Sequence, residues 1–359
     1  MKKFFLIAAA AAMVLSSCSK NTVSDNTTKT NQIGFGVYAG RMSTKADATF
    51  IPKGQTWLPY GAKFGVYCYT TTGSFKDVST TAKANYMANE EVTYAATDAT
   101  DAKNSKTNQD KYTYDTKYWP KKVNGTYPLL LSFYAYYPFG TTAVKTIPNA
   151  TYSGLGAFEY TVPDAVASQP DFMLSSVVAD QTYDSNSGIV PLTFYHVLSQ
   201  IRVTAKIDDQ TNKNATVIIT GIKFNNLKNH DTVTPSYDGS TTTFTWGTAD
   251  GSQDYVINPP SAVTLTTTEN DFTTNGNTIL TVPQAFGDDA TVEITYTIQG
   301  NGGGPAVTVT VPVALKDLSD LEQGKCTSFD FTISLFSTNP IKFTASVTDW
   351  INDPRSQTI

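Results

Sequence analysis

Along most of the chain apolar and polar residues alternate with a period of two, the mark of strands with one face in a core. The stretch "KFGVYCYT" sets Phe64, Val66 and Cys68 on one face, whereas the nearly unbroken apolar run "LLLSFYAYYP" suits a strand covered on both sides. "TVEITYTI" and "AVTVTVPVAL" flank "QGNGGGP" as the arms of a hairpin. Further strands are expected at "ATVIITGIKF", "TTTFTW", "TILTVPQAF", "SFDFTISL" and "IKFTASVTDW". No segment of ten or more residues carries a helical stripe, although "DAVASQPDFMLSS" has room for one helical turn. The economical fold class is therefore all-β, with strand number and spacing that suit β-sandwiches.

Two irregularities divide the pattern. Leu192, Phe194, His196 and Leu198 share one parity while Ile201, Val203, Ala205 and Ile207 share the other, which predicts a bulge or sharp bend between Leu198 and Ile201. The turn-forming run "DQTYDSNSG" separates an N-terminal sandwich domain over 32–185 from a C-terminal one over 186–359, and 359 residues are enough for both. The long polar stretch 96–115 reads as an exposed insertion.

The first residues break from strand periodicity altogether. Lys2 and Lys3 precede an apolar run from Phe4 to Leu15, too short for a membrane span, and "LSSC" then has the form of a bacterial lipobox. Residues 1–17 are read as a signal peptide, Cys18 as the lipidated mature N-terminus, and 18–31 as a polar tether to the outer membrane. Loss of Lys2 and Lys3 with the signal takes the formal charge from −5 to about −7. With no basic stripe to neutralise phosphates, nucleic acid is excluded as a partner.

Candidate chemistry is sparse. His196 and His230 are the two histidines; His196 lies on an apolar strand face and reads as a hydrogen-bonded core residue, His230 as a loop residue. Gly324-Lys325 lacks the rest of a phosphate loop, and Gly302 to Gly304 read as a turn. The acids of "DDQTNKN" and "GDDAT" do not follow calcium-loop spacing and read as solvated turns. No catalytic residue, metal site or cofactor is expected, and the chain is read as a non-enzyme. Cys68 and Cys326 sit in strand-like segments, where a bridge and two separate buried thiols are both open. Trp119 and Trp350 close strand patterns and are expected in the core. Trp246 and the many tyrosines leave open a surface that stacks on sugars, and so a glycan-binding lipoprotein is the alternative function.

The stretch "NQIGFGVYAGRMSTKADATF" poses the main functional question, because a good strand carrying Ile33, Phe35 and Val37 runs straight into Arg41 and Lys45 among small polar residues. Burial of three such side chains is worth about 1.5–3 kcal/mol each. Ile33 to Tyr38 can be simply the first strand with Arg41 in its turn; if instead the strand left after cleavage at Arg41 or Lys45, an apolar trough with unpaired backbone would remain for a strand of another molecule. Such a head-to-tail contact propagates as a filament.

The residues also resemble a known family. In order along the chain stand the lipobox, "IGFGVY" followed by "STKA", "YWP" at Tyr118 to Pro120, "LSFYAYYP", "PDFMLSS", "VPLTFYHVLSQIRV", "TVPQAF", "EQGKCTSFDFTI" and "VTDW". Together they resemble the fimbrillin family, the lipoprotein precursors of type V pili. The resemblance implies two transthyretin-like sandwich domains, outer-membrane export, cleavage by an arginine-specific maturation protease and polymerisation by donor-strand exchange. A structural or tip subunit would then have other pilus subunits as partners, with a host or glycan receptor in adhesion. Ile33, Phe35 and Val37 correspond to the removable strand, while Ile341, Phe343, Ala345 and Val347 form the candidate donor. Two departures stand out. Lys45 occupies the place of the usual arginine, and only "INDPRSQTI", with Pro354, follows Trp350.

Overall fold

The chain is all-β, and its most regular strands are those whose alternation is clearest. The computed structural model describes residues 31–40, 58, 61–94, 112–185, 187–257, 262–274, 277–338 and 341–350. Cys18, Arg41 and Lys45 lie outside them. Gln32–Ile359 forms one compact unit, whose described residues make four sheets.

The first sheet contains β1 (Gly34–Gly40), β2 (Lys63–Thr71), β3 (Met87–Tyr94), β4 (Tyr112–Thr113), β5 (Leu130–Tyr137), β8 (Met173–Ser175), β9 (Val178–Gln181) and β10 (Ile189–His196). Its order is β1-β10-β8-β5-β2-β3-β4, with β9 beside β5. As expected of "LLLSFYAYYP", β5 is covered on both sides: Leu131, Phe133 and Ala135 enter one core, Tyr134 and Tyr136 another. β2 is buried in the same way, with Phe64, Val66 and Cys68 on one side and Tyr67 and Tyr69 on the other. In a flat sheet, four strand spacings would separate β1 from β2 by about 19 Å. The Phe35 and Phe64 ring centroids are nevertheless 6.0 Å apart, so the sheet curls on itself and encloses the first core.

Against its tyrosine-bearing face lies a second sheet of order β14-β13-β7-β6, made from β6 (Val144–Thr146), β7 (Phe158–Thr161), β13 (His230–Tyr237) and β14 (Thr242–Trp246). Tyr67, Tyr134 and Tyr136 meet Phe158 here at centroid distances of 5.3–6.4 Å. This sheet draws strands from both sides of the turn-rich 180–188 segment, and β10, which follows that segment, lies in the first sheet.

The remaining strands form two facing sheets. One has the order β17-β11-β21-β22, from β11 (Ser199–Ile207), β17 (Asn270–Asp271), β21 (Lys325–Ile333) and β22 (Ile341–Asp349), with β18 (Ile279–Thr281) also on β11. The other has the order β15-β12-β19-β20, from β12 (Ala215–Leu227), β15 (Gln253–Ile257), β19 (Thr291–Gly300) and β20 (Val307–Ala314), with β16 (Val263–Thr264) on β12. Phe224 of β12 packs edge-on against Phe329 of β21, centroids 5.4 Å apart. The β19–β20 hairpin closes through Gly303 and Gly304 at φ +87° and +113°, a backbone region that favours glycine.

The change of parity has its structural origin at Val197 and Leu198, slightly ahead of the expected place. There the chain leaves β10 for β11 and passes between sheets, with every residue from His196 to Ser199 buried. Val197 accepts from the Trp246 indole at 2.8 Å and Leu198 from the Gly324 amide at 2.9 Å, which holds the corner without a ladder. The expected helical turn is the 3-10 turn Val166–Ser168. "DDQTNKN" is more than a solvated turn: it forms helix α1 (Asp209–Asn214), whose N-terminus is capped by Asp208 accepting from Thr211 N at 2.7 Å.

Candidate functional site

A strand that leaves a fold needs to be peripheral in its ladder and yet own a place in the core. β1 has both properties. It pairs in parallel with β10, Gly34 opposite Ile189 through Gly40 opposite Tyr195, and among the described residues it ends its sheet. Ile33, Phe35 and Val37 are at most 1% exposed. Phe35 meets Phe64, Phe133 and Tyr114 edge-on, the last at 5.4 Å. The strand's beginning is held on its other side too: Gln32 bridges to Tyr118, Ile33 N donates to Lys117 O at 3.0 Å, and the Tyr114 hydroxyl donates to Ile33 O. Trp119, 3% exposed, braces the same corner by donating to Gly188 O at 3.0 Å.

Tyr114 is the residue that sequence reasoning missed. It falls in the polar stretch read as an exposed insertion, whose residues 96–111 lie outside the description, but Tyr114 itself is half-buried against Phe35. The signal was present in "KYTYD", where a short alternation of tyrosines ends an otherwise aperiodic segment.

The four residues read as a candidate donor lie together on β22, which pairs with β21 over nine residues and ends its sheet among the described residues. Ile341, Phe343, Ala345 and Val347 take the inward positions, and Lys342, Thr344, Ser346 and Thr348 are exposed. Phe343 stacks on Phe329 and Phe331 at 5.7 and 4.9 Å and is itself only half-buried. Trp350, just beyond the strand, is buried and lies flat on His196 at 4.1 Å with a 10° interplanar angle. His196 is the hydrogen-bonded core residue expected, 5% exposed with Nδ1 2.8 Å from Asp171. β10 thus carries β1 along its length and Trp350 at its end.

Other candidate residues fall into structural roles. His230 is the first residue of β13, not a loop residue, because pairing with Thr161 draws it into the ladder. Its Nδ1 is 2.6 Å from Asp250 and its Nε2 3.1 Å from Glu159, which ties β13 to β7. The hydrogen bond to Asp250, with Glu159 adding, raises its pKa above the ordinary 6.5 despite partial burial. The stabilisation from a raised pKa is complete below the unfolded value and is lost as pH rises through the folded one. The thermal midpoint should therefore fall from about pH 6 to about pH 8 more steeply than in His230→Gln. Superimposable pH profiles for the two proteins would contradict this.

Cys68 and Cys326 are both free and buried. Burial pushes the Cys326 thiol to about 11 and Cys68 well above its ordinary value, so neither presents a reactive thiolate at neutral pH. Trp119 and Trp350 are core residues, as expected. Trp246 is half-buried, with its indole N–H bonded to Val197 O.

The chain as a whole has relatives. The fimbrium subunit Fim1C of Phocaeicola vulgatus is 26% identical over 235 residues, a match that takes in 61% of this chain and 55% of that one. The chain therefore spans about half the length of the curated relative it matches. A crystal structure of a fimbrial protein from Bacteroides vulgatus has a TM-score of 0.65 at 18% identity, over 89% of this chain and 99% of that one. A protein of Bacteroides uniformis described as a candidate for cell adhesion follows at 0.50 and 17%, over 89% and 100%. At such identities the solved structures speak for a shared fold. The profile of the fimbrillin-like family, however, matches residues 22–350, a span that runs from ahead of β1 to Trp350, and the chain belongs to that family.

Proposed function

We propose that this chain is a structural or tip subunit of a surface fimbrium with a role in adhesion, and that it is not an enzyme. It is exported as an outer-membrane lipoprotein through Cys18 and matured by cleavage after Arg41 or Lys45. It then polymerises when a strand of a neighbouring subunit takes the place of β1. In this reading the chain makes two transthyretin-like sandwich domains: the one that receives a strand takes β10 from beyond the 180–188 segment to line its trough, and the one that supplies a strand carries β22. The observation that carries the proposal is the position of β1: Ile33, at its start, Phe35 and Val37 are sealed in the first core while, among the described residues, its ladder has one strand neighbour, β10.

The energetic logic is a replacement. Three buried side chains at about 1.5–3 kcal/mol each are comparable with the whole net stability of a domain, about 5–15 kcal/mol. A subunit that loses β1 is therefore driven to refill the trough, and the uncut chain is held monomeric. Residues 46–359 and 19–359, produced side by side, test this. Heat-sensitive ladders on a gel are expected from the shorter chain alone, and their absence from both would count against the proposal.

A further inference from the structure

The trough occupied by β1 presents three seats in a row, now filled by Ile33, Phe35 and Val37. The seats differ, since the middle one is walled by aromatic rings: Phe64, Tyr114 and Phe133 all meet Phe35 edge-on. A strand that takes over this site must offer side chains of matching size at every second position. On the strand-exchange reading above, β22 of a second copy is the candidate, and its inward positions read Ile341, Phe343, Ala345, Val347. The removable strand and β22 thus share the pattern Ile-x-Phe, in the same chain direction.

We infer that β22 of a neighbouring copy enters parallel to β10 in one register, with Ile341 in the seat of Ile33, Phe343 in that of Phe35 and Ala345 in that of Val37. Moving β22 by two residues puts Ala345 into the aromatic seat and leaves a void the size of a phenyl ring. A move by four brings Val347 there and buries Asp349 in the third seat. Reversal of the strand keeps Phe343 central but exchanges the ends, so that Ala345 underfills the Ile33 seat while Ile341 overfills that of Val37. Phe343 is thus the specificity-determining residue. On the alternate face Lys342 and Thr344 come to stand where Gly34 and Gly36 stand, both buried in the uncut chain, so the long Lys342 side chain must run out past the half-buried Ile189 and Pro191 of β10 to carry its ammonium to water.

The register is read by cross-linking in surface fimbriae isolated from cells that make the full-length chain. In the inferred register Lys342 lies opposite Ile189 of the next subunit, at the strand spacing of about 4.8 Å that a disulfide spans. In the register shifted by two residues and in the reversed one, Thr344 takes that place. Lys342 and Thr344 are exposed in the monomer, so cysteine there spares the core. Mild oxidation of Ile189→Cys/Lys342→Cys fimbriae is expected to give about tenfold more reducible inter-subunit bands than Ile189→Cys/Thr344→Cys, since a displaced pair falls outside bridging distance. Stronger bands from the Thr344→Cys protein would overturn the register, and ladders with neither cross-link would show that another segment fills the trough. If the unsubstituted chain forms no ladders, it is the exchange reading itself that fails.

Discussion

Replacement of Phe35 by alanine should lower the unfolding free energy of the uncut chain by about 3–5 kcal/mol, the usual loss for a buried aromatic. The ring is 1% exposed and makes three edge-on contacts, and such pairs contribute about 0.5–1.5 kcal/mol each beyond their buried area. The site cannot easily collapse, because Phe64 and Phe133 belong to strands paired on both sides. Tyr118 supplies the contrast. It bridges to Gln32, yet the residue is 54% exposed, and Tyr118→Ala should shift stability by no more than about 0.5 kcal/mol. Urea midpoints at unchanged slope measure both. A Phe35→Ala loss as small as that of Tyr118→Ala would mean that β1 rests on the domain without completing its core.

Trp350→Ala should cost a similar amount, about 3–5 kcal/mol, at the other end of the proposed exchange. Trp350 is 6% exposed, lies flat on His196, and anchors the chain by donating from its backbone N to Gly324 O at 3.1 Å. The effect should be concentrated on β22, whose inward residues are half-buried apart from Ile341 and whose ladder has, among the described residues, β21 as its one strand neighbour. Hydrogen exchange is the discriminating measurement, since edge elements with few buried contacts open locally before the whole fold does. Amides of β22 should lose protection in Trp350→Ala at concentrations of urea that leave β11 unchanged. Equal loss in both strands would show that Trp350 supports the whole fold and has no particular hold on β22. Trp350→Phe, which keeps a ring over His196, should restore a good part of the protection.

Much of the architecture was legible because strand periodicity is a local record of burial. The two-faced burial of β5 was written in "LLLSFYAYYP", and the corner at Val197 and Leu198 showed as a change of parity within a residue or two of its true position. His196 could be recognised as a core residue from its place among alternating apolar neighbours. His230 was misplaced for a related reason. Its flanking "NNLKNHD" is polar, and the ladder to β7 that makes it a strand residue is formed with a partner distant in the chain. The role of Tyr114 was hidden similarly, since two alternating tyrosines at the end of a polar stretch do not reveal which core they enter.

The amino-acid sequence by itself determined that this is an all-β chain of the fimbrillin type, with a strand at Ile33 to Val37 and another at Ile341 to Val347, each with an apolar face. Only the tertiary structure decided that the first lies in parallel on β10 within an aromatic seat, that both end their sheets among the described residues, and that Trp350 closes onto His196. The physical reason is that alternation reports which side of a strand meets apolar surroundings, a property each residue carries. Which strand lies beside which, and whether it has one neighbour or two, is set by contacts between segments far apart in the chain, and local periodicity does not encode that choice.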